Sequence, residues 1–220
     1  IFGGAYSKKN GATYDNIFKP ESFHVAVGNG TDWSGNLTYE KIGGSDTTDP
    51  YWVQFAVDFT LKEAVSQLSI RFTADLASGF AIDDVQLVEG NGGQEVDLEG
   101  GVVPPDPSGD AIYENNFDKT PAAEVDGKWP FLDQTDAWQN ASGTGNSTVT
   151  YTSTNVSVRT SGKLSGGYDG ASGSNKIFFG SAPATFDINT ITMPAGKTNY
   201  RIIFGGAYSK KNGATYDNIF

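Results

Sequence analysis

Cysteine is absent from the chain, and His24 is its one histidine. The first absence excludes a disulfide framework, a thiolate metal site and a cysteine nucleophile; the second excludes any intrachain site built on several imidazoles. Charge is scarce as well, at 19% of residues, and it leans acidic, with 15 Lys+Arg against 26 Asp+Glu and a net charge of −11. Binding a phosphate backbone needs clustered cations that displace counterions, so nucleic acid is not an expected partner. No apolar run approaches the ~18 residues that span a bilayer, and the first residues show neither the basic nor the apolar part of a signal peptide. Also missing are a Gly-x-Ser-x-Gly elbow, a P-loop, a Gly-x-Gly-x-x-Gly turn and an EF-hand loop. An enzyme would have to be built from Asp and Glu alone, and no catalytic site is expected.

What the chain does contain is uncharged polar and aromatic material. Hydrophobic residues make up 37% and aromatics 13%, enough for one or two cores. Abundant Gly, Ser, Thr and Asn with few charges suits a secreted or cell-surface β-protein, so an extracellular location is expected.

One feature frames all others. Residues 1–18 read IFGGAYSKKNGATYDNIF, and residues 203–220 repeat that string without a difference. Diverged repeats keep the hydrophobic pattern and change their surfaces, so identity at every position marks a recent or deliberate duplication. The run Asn199-Tyr200-Arg201-Ile202 leads straight into Ile203-Phe204, which implies that Ile1-Phe2 begins in mid-strand. Residues 89–109, rich in Gly, Pro and acids, read as a linker. The expected organisation is therefore a sandwich in permuted register: residues 110–220 as its N-terminal half, 1–88 as its C-terminal half. One period of a tandem array cut out of register explains this, and a circular permutant is the competing reading.

Period-two alternation recurs along the chain. Tyr51, Val53, Phe55, Val57 and Phe59 share one face of a run whose other face carries Gln54 and Asp58. Similar runs are expected at 22–27, 68–73, 80–88, 111–117, 149–158, 176–179, 185–192 and 199–209, separated by Gly, Asn, Asp and Ser clusters. About nine or more strands with essentially no helix predict an all-β, jelly-roll type β-sandwich, with at most one helical turn at 61–65.

In permuted order the unit opens with Tyr113-Glu114-Asn115-Asn116-Phe117-Asp118, then Gly127-Lys128-Trp129, and closes with Gly79-Phe80-Ala81-Ile82-Asp83-Asp84-Val85. These ends resemble the bacterial choice-of-anchor J modules, relatives of the MAM domain. The resemblance implies a jelly-roll sandwich on surface or secreted proteins, often repeated, with its first and last strands side by side. It also implies that Asp83 or Asp84 joins Glu114 or Asp118 in an oxygen-ligand site for structural calcium. Adjacent residues on a strand point to opposite faces, so Asp83 and Asp84 are not a general acid/base pair.

The four tryptophans, with Tyr39, Tyr51 and Tyr168, offer faces on which sugar rings could stack, against the ordinary burial of aromatics in a sandwich core. Trp33, in Gly30-Thr31-Asp32-Trp33-Ser34-Gly35, is the best-placed candidate, with Asp32 and Tyr39 beside it as ligand-binding residues. His24 reads as structural. The expected function is a non-catalytic repeat module of a bacterial surface adhesin or fibre, self-assembling by strand exchange between copies. The alternative is a carbohydrate-binding module of a glycan-degrading system, with polysaccharide as partner.

Overall fold

The computed structural model describes residues 8–9, 12–13, 23–44, 52–75, 80–98, 111–160, 168–180 and 182–208. In the first half of the chain the strands are β1 (Lys8–Lys9), β2 (Ala12–Thr13), β3 (Phe23–Gly28), β4 (Glu40–Gly44), β5 (Val53–Leu61), β6 (Gln67–Ala74), β7 (Phe80–Glu89) and β8 (Gln94–Val96). The second half adds β9 (Tyr113–Asn115), β10 (Ala141–Ser142), β11 (Thr150–Thr154), β12 (Val156–Thr160), β13 (Asn175–Phe179), β14 (Ala184–Thr192) and β15 (Asn199–Tyr208). Helical structure among the described residues is confined to two 3-10 turns, Leu132–Gln134 and Asn146–Thr148. The segment expected to form a helical turn, 61–65, is a bend instead.

Thirteen of these fifteen strands form a β-sandwich, and β1 pairs with β2 apart from it. Its smaller sheet has four strands in the order β11-β14-β6-β3, and its larger sheet has nine, with β10-β9-β7-β15-β5-β4 as the main path. Both sheets mix the two halves of the chain: β14 pairs with β6, and β15 lies between β5 and β7. The segments 113–118 and 79–85 contribute adjacent strands, β9 against β7, with Asn115 opposite Val85.

Apolar alternation explains which face each strand buries. Val53, Phe55, Val57 and Phe59 are fully buried, while Gln54 and Asp58 are half-buried on the other face; Tyr51 lies outside the described residues. Phe23, Tyr39, Phe55, Phe72 and Phe204 form a continuous ring cluster between the sheets, with centroid separations of 5.2 to 6.5 Å.

Two expectations are corrected by tertiary packing. The single strand expected over 149–158 is broken at Asn155, whose φ of 58° turns the chain so that β11 joins the small sheet and β12 the large one. Asn155 holds this turn by donating its side-chain N–H to the Pro183 carbonyl at 2.8 Å. The first part of the expected 89–109 linker belongs to the sandwich: β8 runs parallel to β5, and Val96 and Leu98 are buried.

Candidate functional site

The acidic residues singled out from the sequence sit on or beside the outer face of the large sheet. Along β7, Phe80 and Ile82 point into the core, so alternation puts Ala81 and Asp83 on the opposite face. A bulge follows: β15 runs from Ile203 to Gly205 while β7 runs from Gln86 back to Asp83, leaving an extra residue in β7. Asp84 absorbs it with a φ of 47° and resumes the outward direction.

Asp83 is nonetheless completely buried, because the chain crosses over this face at 168–175. Asp84 and Asp118 hold that crossing down. Asp84 Oδ2 accepts the Tyr168 hydroxyl at 2.6 Å and the Ser172 N–H at 3.0 Å. The Asp118 carboxylate accepts the N–H groups of Gly173, Ser174 and Asn175 at 2.6 to 3.2 Å. Tyr168 lies over Gly205, where any side chain would run into its phenol ring.

Removing the Asp118 carboxylate strands three N–H groups at once. Asp118→Ala is expected to cost about 2–4 kcal/mol, with Asp118→Asn, which keeps one acceptor oxygen, losing less. Urea unfolding midpoints check the order.

The electrostatics follow from burial. Burial pushes the Asp83 carboxyl well above the usual carboxylate range, and the nearby charges of Asp84 and Asp118 add to this; the Asp84 N–H and Lys176 oppose it. Asp83 Oδ1 accepts the Asp84 N–H at 2.8 Å, but Oδ2 has no partner among the described residues. Asp84 is also raised by burial, against the hydrogen bonds from Tyr168 and Ser172. Burial lowers Lys176, with the Arg159 charge acting in the same direction.

Glu114 is set apart from this cluster. It accepts the Ser142 hydroxyl at 2.7 Å and lines a cleft of about 460 Å³ with Asp84, Gln54, Gln86, Asn116 and Asn140. The structure thus gathers Asp83, Asp84 and Asp118 into one electrostatic group and leaves Glu114 on the neighbouring strand. Among the described residues no group of three or more His, Asp or Glu is arranged to hold a metal ion. One observation fits a cation: the orphaned, buried Oδ2 of Asp83.

The aromatic candidates separate clearly. Tyr39 is a correction: it is 2% exposed, its ring packs on Phe23, Phe55 and Phe204, and its hydroxyl donates to the Phe23 carbonyl, so it has no face for a ligand. Trp52 and Trp138 are buried too. Trp33 is half-buried; its ring rests against Gly28 and carries the Arg71 guanidinium 3.9 Å from the centroid, so a sugar would compete with that cation. Asp32 is exposed in a turn built on Asn29, whose side-chain oxygen accepts the N–H groups of Thr31 and Asp32. His24 is paired with Asp75 at 2.7 Å.

A second pocket escaped the sequence-level reading. It measures about 320 Å³ and lies at the β12 edge, lined by Lys128, Trp129, Phe131, Asn155, Ser157 and Arg159. Phe131 is 46% exposed and Trp129 is half-buried. The Asp126-Gly127 pair, with φ of 51° and 71°, turns the chain so that Val125 and Lys128 pair, and the Trp129-Pro130-Phe131 run follows directly. That tight turn before two aromatics was the available signal.

Comparison with known proteins adds no neighbour: no protein-family model, curated protein or solved structure matches the chain.

Proposed function

We propose that this chain is one unit of a tandem array: a non-catalytic extracellular module of a bacterial surface adhesin or fibre, of the choice-of-anchor J kind that its closing strand resembles. The observation that carries the proposal is the position of β15. The second copy of the repeat begins at Ile203, inside the strand clamped between β5 and β7 in the middle of the large sheet. That slot takes one strand, while the chain carries the second part of that strand, Ile203–Tyr208, a second time as residues 1–6. In an array each copy would serve its own sandwich; between separate chains the first copy would serve the slot of a neighbour, which is strand exchange.

Light scattering coupled to size-exclusion chromatography, over a concentration series, tests self-assembly. Oligomers that grow with concentration are expected. A compact monomer at every concentration would end the strand-exchange part of the proposal.

The proposal includes a structural calcium ion at the outer-face carboxylates. Its support is Asp83 Oδ2, which would gain a partner, with Asp84 and Asp118 adjacent. A bound cation would neutralise the mutual repulsion of these three groups. Repeating the scattering series with EDTA tests whether the ion also sits between copies.

Glycan binding is the second reading, and the exposed Phe131 beside Trp129 favours it. A pure spacer has no need of an aromatic face in solvent. No helix among the described residues is long and apolar enough to cross a membrane.

A further inference from the structure

The chain has three arginines, Arg71, Arg159 and Arg201. Arg71 stands opposite Asp187 in the β6–β14 ladder and grips it with two hydrogen bonds of 2.8 Å. Arg201 stands opposite Asp58 in the β15–β5 ladder and does the same at 2.7 and 2.6 Å. Arg159 breaks the pattern, because the residue opposite it, across β12–β13, is Lys176.

Like charges placed directly across a ladder destabilise it unless an anion lies between or beside them. Among the described residues neither Arg159 nor Lys176 has a carboxylate within ion-pair distance. Asp83 attracts Lys176 and Glu124 attracts Arg159 through space only. The Arg159 guanidinium is fixed rather than loose. It stacks 3.6 Å from the Phe178 ring centroid, and its Nε donates to Ser157 Oγ at 3.1 Å, which leaves both terminal nitrogens free. Burial lowers its pKa, consistent with a cation that lacks its counter-charge.

Arg159 forms one wall of the pocket that holds Lys128, Trp129 and Phe131, and no Asp or Glu lines that pocket. In a protein of net charge −11 this is a local positive site with two aromatic rings attached. The rings are held in place: the Val158 N–H bonds the Pro130 carbonyl at 3.2 Å, and the Phe131 N–H donates to the Gln134 side chain at 3.1 Å.

We infer that this pocket binds a carboxylate-bearing sugar, a hexuronate residue within an acidic polysaccharide. The terminal nitrogens of Arg159 and the Lys128 ammonium take the carboxylate. Phe131 and Trp129 take the apolar face of the pyranose ring, and Asn155 and Ser157 offer hydrogen bonds to its hydroxyls. An acidic protein segment would satisfy the cations but not the ring geometry. This inference rests on the glycan-binding reading and sharpens it to a site and a ligand class.

Affinity electrophoresis through gels containing polygalacturonate, its methyl ester, a neutral galactan or polyglutamate tests it. Polygalacturonate should retard the chain most, and retardation should fall as salt is raised. Arg159→Gln and Phe131→Ala should each weaken binding at least about tenfold, with melting temperature recorded to show that the fold persists. Phe131→Ala is the safer variant because that side chain is exposed. Equal retardation by the methyl ester or the neutral galactan would overturn the uronate assignment and leave glycan binding standing. Stronger retardation by polyglutamate would overturn the sugar assignment, and no retardation in any gel would overturn both.

Discussion

Phe204→Ala is expected to lower the melting temperature by roughly 6–20 °C, while Phe2→Ala, the same change in the other copy of the repeat, is expected to shift it far less. Phe204 is fully buried between the sheets, with Phe23, Tyr39, Phe55 and Phe72 rings at 5.2 to 6.4 Å. Emptying a site of that size costs about 3–5 kcal/mol, because the neighbouring rings sit on β3, β5 and β6 and cannot all collapse into the gap. Phe2 has the same sequence neighbours and lies outside the described residues, but the slot between β5 and β7 is already filled. Thermal unfolding by circular dichroism, on dilute monomer, measures both variants. Equal losses would show that the two copies contribute equally, which one slot per sandwich forbids. In the oligomeric fraction, strand exchange predicts the opposite sensitivity: there Phe2→Ala lowers the oligomer's stability, since the surplus copy would be filling a neighbour's slot.

Asp83→Asn is expected to stabilise the calcium-free protein at neutral and alkaline pH. The unfolded Asp83 ionises near pH 4, whereas burial makes the folded carboxyl keep its proton to higher pH. Folding therefore takes up a proton, and the stability from this group is fully present below the unfolded pKa. It is lost as pH rises toward the folded value, by up to about 1.4 kcal/mol per pH unit. An amide of the same shape removes that loss while keeping the oxygen that accepts the Asp84 N–H. Asp84, raised in the same direction, remains in the variant and keeps part of the slope. Asp118 and Lys176 also face Asp83 and are unchanged. Melting temperatures in EDTA from pH 4 to 9 should diverge upward for the variant as pH rises. Adding calcium decides the cation question: an ion at Oδ2 should raise the melting temperature of the native protein and not of Asp83→Asn. A calcium-independent native protein would remove the ion from the proposal.

Much of the sandwich was legible because strands with one buried face write their orientation into alternating residues. The runs expected at 51–59, 68–73, 80–88, 185–192 and 199–209, which fold as strands over 53–61, 67–74, 80–89, 184–192 and 199–208, all needed no partner to be recognised. The break at Asn155 was not legible, since the Thr and Ser run on either side of it alternates equally well in one strand or two. The choice depends on the Pro183 carbonyl, which arrives from a distant turn. The aromatic candidates failed for a similar reason. Tyr39 lies in a polar, Gly-rich neighbourhood that reads as a loop, yet its ring closes the gap between Phe23 and Phe55.

The sequence by itself determined that the chain is all-β, acidic and free of thiol chemistry, and that one segment is present twice. Those properties are carried by composition, period-two alternation and exact repetition, all of which are local or countable. Which carboxylate is buried, and which arginine lacks its aspartate, only the tertiary structure decided. Asp83 and Asp84 are neighbours in the chain, but a bulge and the 168–175 crossing bury one completely and leave the other at the rim of a cleft. Arg71, Arg159 and Arg201 look alike along the chain; ladder register alone sets two of them against aspartates and the third against a lysine. Register is a long-range property, because a shift of one residue moves every side chain to the other face, and only the packed sandwich selects it.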